Sequence, residues 1–239
     1  MSIHLLSESP KYSNSVWTDK VLFNQTPSGW IDFFSTEKTK NLLIKIQHQI
    51  SLCKETVYPH PDNVFRAFYL TSLNKIKVCI IGLDPYSDGA AVGLSFCVLR
   101  KKINGSLLNI AKEVKSCGFN VEPNCGNLFP WAEQGVFLIN TALTVKEGTP
   151  ESHIGIWREF TQSLMEYMSE HNKDIIFILW GKKAEALSSY MGDCTKLTFV
   201  HPSPLSAHRG FIGSKCFTKI NAELKLKNKT SIDWSILQK

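Results

Sequence analysis

The sequence is poor in arginine, has no Cys-x-x-Cys pair and contains no long apolar run, and each shortage removes a class of protein. Only four basic residues are Arg (Arg66, Arg100, Arg158 and Arg209). Base reading by bidentate guanidinium forks is therefore not expected, and phosphate contacts fall to lysines and backbone amides. The seven cysteines are odd in number and unclustered, which argues against a disulfide framework and a thiolate metal site and for a reducing compartment. No stretch approaches the roughly 18 apolar residues of a membrane span, and no charged region followed by an apolar run opens the chain. A soluble, unexported protein is expected. No GxGxxG follows the first strand, which removes a dinucleotide fingerprint. Gly93-Leu94-Ser95-Phe96-Cys97 has Cys97 where a nucleophile elbow needs its second glycine.

What remains is a chain of 239 residues, 43% hydrophobic and 20% charged, suited to one folded α/β domain with a single core. Lys plus Arg exceed Asp plus Glu by 27 to 21, a mild excess compatible with a polyanionic partner. Residues 1–28, rich in Ser, Asn and Lys, read as a variable arm, and 29–239 as the domain.

Four short apolar runs recur at 76–81, 135–139, 175–179 and 197–200. Their length and β-branched content predict buried parallel strands. Helical periodicity fills 106–116, 156–171 and 183–190 between them and 215–226 after the last, with two further helices at 36–51 and 61–70. This alternation predicts a central four-stranded, mainly parallel, twisted sheet flanked by helices. Each run ends in a polar or glycine-containing loop, beginning at Gly82, Asn140, Trp180 and His201. Ligands of open α/β sheets bind outside the carboxyl ends of the strands, so Asp84, Asn140 and His201 are expected on one rim.

Several segments at these loops share a specific resemblance. Gly82-Leu83-Asp84-Pro85-Tyr86, Gly93-Leu94-Ser95-Phe96, Asn104-Gly105-Ser106-Leu107, Leu138-Ile139-Asn140-Thr141 and His201-Pro202-Ser203-Pro204-Leu205-Ser206 occur in the order found in the main family of uracil-DNA glycosylases. Ile232-Asp233-Trp234 is similar to that family's C-terminal signature. The resemblance implies a monofunctional, metal-free and cofactor-free glycosylase fold acting on uracil in single- or double-stranded DNA. Such an enzyme leaves an abasic site and initiates base-excision repair. It further implies a monomer in the nucleus or cytoplasm, with a replication partner for the arm left open.

Carried over residue by residue, the resemblance gives Asp84 and His201 the chemistry, and Leu83, Tyr86, Phe96 and Asn140 the uracil. Ser87, Ser106, Gly181, Lys182, Ser203, Leu205 and Ser206 take the DNA, with Leu205 as the wedge filling the vacated stack. Ser152 and His153 form a family-like pair and read as loop or phosphate-side residues. Leu83 and Ser87 depart from the family's usual Gln and His, and the loop between Gly82 and Gly93 is about one residue short. A slower enzyme is expected from Ser87. Taken singly, Asp84 is an ordinary turn or cap residue, His201 an ordinary structural histidine and Phe96 ordinary core. The competing expectation is a DNA-binding accessory module of the same fold with weakened catalysis.

Overall fold

The computed structural model describes residues 16–100, 102–103 and 105–238. Among these residues, six strands form two sheets. β1 (Val57–Tyr58) pairs antiparallel with β4 (Val145–Lys146), while β2 (Val78–Gly82), β3 (Val136–Asn140), β5 (Ile176–Trp180) and β6 (Thr195–Phe199) form the main sheet in the order β3-β2-β5-β6, all parallel. Every residue of β2, β3 and β5 is buried, because helices cover both faces of a parallel sheet. β6 lies at the edge, half-buried and mixed in polarity. Its ladder with β5 begins at Ile176↔Thr195, two residues before the apolar run that marks it in the sequence.

Nine α-helices surround the sheets: α1 (Val16–Asp19), α2 (Ile31–Ser35), α3 (Glu37–Ser51), α4 (Arg66–Leu70), α5 (Gly105–Ser116), α6 (Phe129–Glu133), α7 (Ile154–His171), α8 (Lys182–Glu185) and α9 (Cys216–Leu226), counted among the described residues. Thr36 caps α3 by accepting from the Thr39 N–H at 3.2 Å, and Leu43, Ile46 and Ile50 repeat at helical spacing along its buried face. The helix expected over 61–70 divides into a short turn, Pro61–Asn63, and α4. That expected over 183–190 divides into α8 and the turn Ser188–Tyr190. No helix among the described residues is long and apolar enough to cross a membrane.

The connection from β2 leaves to β3 on one side and that from β5 leaves to β6 on the other. The carboxyl ends of the neighbours β2 and β5 thus open the crevice that doubly wound sheets use for ligands. Beneath it, one buried core runs from the sheet to the N-terminal helices, with Trp30, Phe68 and Phe137 in ring contact at 5.0–5.3 Å.

Two features depart from the sequence reading. Residues 16–28, placed in the variable arm, pack into this core: Trp17 is buried, stacked on Phe65 at 5.7 Å and 6.0 Å from Trp157, and Val21 is buried beside it. The β1–β4 ribbon, too short for a pattern, sets the course of the chain into α7. Replacing Trp17 with Ala is expected to lower the unfolding free energy by roughly 3–5 kcal/mol, as for other buried large aromatics. A chain starting at Gly29 should lose at least as much. Urea titration measures both, and a loss below about 1 kcal/mol would mean that the segment is a mere appendage.

Candidate active site

The rim is built by backbone before side chains enter. Gly82, the last residue of β2, stands opposite Asn140, the last of β3. A Cβ on Gly82 would lie 2.2 Å from Asn140 Oδ1 and 2.8 Å from Ser95 Cβ, so only glycine allows the Asn140 amide to lie across the strand end. The two loops are then tied together. Thr141 N–H donates to the Gly82 carbonyl at 2.9 Å, while Thr141 Oγ1 and Ala142 N–H donate to that of Leu83 at 2.6 and 3.0 Å. Leu83 therefore contributes its carbonyl to loop-to-loop bracing. Asn140 is 8% exposed, open enough to meet a ligand edge and otherwise fixed.

Asp84 follows, half-buried. Burial lifts its carboxyl above the ordinary value. The Glu151 backbone N–H, donating to Asp84 Oδ2 at 2.6 Å, opposes that lift; the Glu151 carboxylate adds to it, and Lys183 counters it. Among the described residues no hydrogen bond joins Ser87 to Asp84. The Ser87 carbonyl instead accepts from Gly148 N–H at 2.9 Å.

At the end of β5, Gly181 has φ +83°, and its N–H donates to the Phe199 carbonyl at 2.8 Å. A Cβ there would meet His201 Cβ at 2.8 Å, so the glycine makes room for the imidazole of the next loop. His201 accepts from the Ser203 backbone N–H on Nδ1 at 3.0 Å. An accepting Nδ1 carries no proton, so the neutral ring carries its proton on Nε2. Burial first, then Lys183, depress the His201 pKa and keep the ring neutral.

Phe96 adopts φ +62°. Its ring sits edge-on to Trp180 at 5.2 Å and 6.5 Å from His201, which brings the loop after β2 against the ends of β5 and β6. Tyr86 lies beside it, with its hydroxyl 3.5 Å from the Phe96 carbonyl. Burial drives the Tyr86 phenol pKa up, so it stays protonated.

The loop after β6 is bonded to itself and to α5. Ser206 Oγ donates to the His201 carbonyl at 2.8 Å and contacts Ser203 Oγ at 2.8 Å, and Asn109 Nδ2 donates to the Pro202 carbonyl at 2.9 Å. Since the Ser206 proton is committed, Ser203 supplies the proton between the two hydroxyls. Asn109 lies one turn beyond Ser106, which puts the first turn of α5 beside this loop. Leu205 projects from it 82% exposed. Lys182 is exposed at the start of α8. Asn104 lies outside the described residues.

His153, read from sequence as a loop or phosphate-side residue, is fully buried. Its Nδ1 lies 2.9 Å from Thr144 Oγ1 and its Nε2 3.6 Å from Cys53 Sγ, and burial brings its pKa down to about 4. It braces the loop from within. Ser152 Oγ accepts from Lys146 N–H at 2.9 Å. Sequence reasoning passed over Glu151 and Lys183, whose ion pair at 2.5 Å spans the rim beside Asp84. Nothing in their local pattern distinguishes them from solvated charges.

The loops at this rim carry a half-buried carboxyl, a neutral imidazole whose Nε2–H has no partner among the described residues, an amide, and an aromatic ring 6.5 Å from that imidazole. A model of the uracil DNA glycosylase superfamily matches residues 68–225. A uracil-DNA glycosylase of Mannheimia succiniciproducens is 41% identical over 218 residues, spanning 87% of this chain and 96% of that protein. Uracil-DNA glycosylase 1 of Listeria innocua is 42% identical, spanning 88% and 98%. The crystal structure of mimivirus uracil-DNA glycosylase superposes with a TM-score of 0.82 at 29% identity, covering 91% of this chain and 89% of that one. With a pattern of residues, a fold and relatives that agree over most of its length, the chain belongs to the uracil-DNA glycosylase family.

Proposed function

We propose that this protein removes uracil from DNA by hydrolysing its N-glycosidic bond, leaving an abasic site that starts base-excision repair. The observation that carries the reading is the hydrogen bond from Ser203 N–H to His201 Nδ1. It leaves Nε2–H as a fixed donor on a ring that burial keeps neutral.

Breaking the bond between deoxyribose and uracil develops positive charge on the sugar and negative charge on the departing base. Asp84, ionised, stabilises the first and orients the attacking water. His201 Nε2–H, aided by the backbone amides of Leu83 and Asp84, stabilises the second. Donors fixed before reaction cost no reorganisation during it, which is why such groups carry much of an enzyme's rate.

Uracil presents O4 as acceptor and N3–H as donor, and the Asn140 amide can match both. Cytosine reverses the pattern and would leave buried polar groups mismatched, the strong form of discrimination. Phe96 offers a face for the flipped base, and the Tyr86 ring stands where the thymine methyl would fall. Ser106, Ser203, Ser206, Lys182 and the Gly181 amide serve the flanking phosphates, with Ser87 beside the first loop, and Leu205 enters the stack. To grip a phosphate, Ser203 must turn its proton away from Ser206. The same reading takes the protein to act as a monomer without a cofactor, in a reducing compartment that its seven free thiols favour.

Single-turnover release of free uracil from a uracil-containing oligonucleotide tests this directly. Asp84→Asn and His201→Ala are each expected to slow release roughly 10²–10³-fold, the range for one charge-stabilising group removed, while DNA binding persists. Tight binding by the unaltered protein with no release would sink the enzyme reading and leave a binding module. In a separate assay, Tyr86→Ala should begin to release thymine from ordinary DNA. Uracil release without any thymine release would move methyl exclusion to another residue.

A further inference from the structure

Glu151 stands in the left-handed region at φ +66° although it is not glycine. Non-glycine residues held in that region persist where the surroundings over-determine them, and they cluster at functional sites. Here the surroundings are explicit. Lys146 N–H donates to Ser152 Oγ at 2.9 Å, Ile154 N–H donates to the Glu151 carbonyl at 3.2 Å, and the β1–β4 ribbon fixes the start of the segment. The outcome is an N–H aimed outward at Asp84 Oδ2, 2.6 Å away. The Glu151 side chain runs the other way across the rim to Lys183, the second residue of α8, at 2.5 Å.

We propose that Glu151 is a positioning residue for Asp84, its left-handed backbone presenting the N–H that pins one carboxylate oxygen, while its side chain is latched to Lys183 across the rim. The inference rests on the glycosylase reading for its consequence, which is geometric. A carboxylate turns freely about its last bond, and a bond to Oδ2 stops that rotation. Oδ1 is then left to face the sugar and its water. Among the described residues Ser87 makes no bond to Asp84, so this N–H takes over an orienting task that the first loop does not perform itself.

Among the described residues the charged groups facing Asp84 are Glu151 and Lys183, and they act in opposite senses. The N–H and the Lys183 cation favour the ionised carboxylate; the Glu151 carboxylate disfavours it. The exposed ion pair contributes little stability of its own, so its role lies in the field at Asp84.

Two substitutions separate backbone from charge. Glu151→Gly and Glu151→Val both delete the carboxylate and the latch, but glycine accepts the left-handed torsion and a β-branched residue resists it. The readouts are the Asp84 carboxyl titration, followed by carbon-13 NMR with Asp84→Asn for assignment, and single-turnover uracil release across acid pH. In E151G, Asp84 is expected to titrate at or below the pH found in the unaltered protein, because the N–H stays while a like charge goes. In E151V it should titrate about one pH unit above E151G, with release on the acid limb about tenfold slower. E151A, a milder strain on the same torsion, should fall between them and serves if E151V does not fold. Lys183→Met should raise the Asp84 titration by leaving the Glu151 charge uncompensated. Equal titrations and rates in folded E151G, E151A and E151V would overturn the proposal. Absence of uracil release by the unaltered protein would instead overturn the glycosylase reading, and the titrations would still decide the role of Glu151.

Discussion

The pairing of Gly82 with Asn140 is the contact on which the rest of the rim depends. Parallel strands place their ends at one level, and the register Ile81↔Ile139, Gly82↔Asn140 decides which side chain stands at that level. A slip by one residue would turn Asn140 to the opposite face and bring Ile139 into its place. The missing Cβ at Gly82 is what lets the amide lie across the strand end. From this fixed point Thr141 and Ala142 bind the Gly82 and Leu83 carbonyls and so hold the stem of the loop that carries Asp84. Gly181 repeats the device on the far side of the crevice, where its bare Cα gives way to His201.

Burial acts on the two chemical groups in opposite directions: it favours the neutral imidazole proposed for His201 and opposes the ionised carboxylate proposed for Asp84. It raises Asp84 and lowers His201, the sign expected when water is withdrawn from an acid and from a base. Lys183 pulls both downward, which returns part of the ionised character that Asp84 loses and adds to the neutrality that His201 needs. One exposed cation thus tunes two groups of opposite requirement. His153, which shares the motif-like segment near Asp84, is buried more completely and bonded on both nitrogens. A histidine so enclosed positions its neighbours and has no free proton to offer.

The main sheet was legible because buried parallel strands write themselves as uninterrupted apolar runs, and their polar exits mark one rim. That rule alone puts Asp84, Asn140 and His201 at strand exits, and they stand at the ends of β2, β3 and β6. What escaped belongs to other physics. The β1–β4 ribbon has two residues in each strand, below any periodicity. Residues 16–28 mix seven polar with six apolar side chains in no regular period, and the burial of Trp17 depends on partners at Phe65 and Trp157, far away in sequence. Glu151 matters through a backbone torsion and an N–H, neither of which its side chain announces. Lys183 matters through a field that crosses from one loop to another.

In the proposed mechanism the loop after β6 would join two functions that look separate. Inserting an exposed leucine into a base stack recovers about 1.5–3 kcal/mol of apolar burial, of the same order as the few kcal/mol needed to extrude a nucleotide. The exchange is favourable only if the loop is already ordered, since ordering it on binding would cost about 1–2 kcal/mol per residue in backbone entropy alone. The order comes from Ser206 Oγ on the His201 carbonyl, Asn109 on the Pro202 carbonyl and Ser203 N–H on His201 Nδ1. The last of these also fixes which nitrogen of the imidazole bears the proton. Stiffness for the wedge at Leu205 and the tautomer of His201 therefore come from one set of bonds. In the proposed mechanism, a change that loosens this loop would weaken extrusion and leaving-group stabilisation together, even where it touches neither the base nor the sugar.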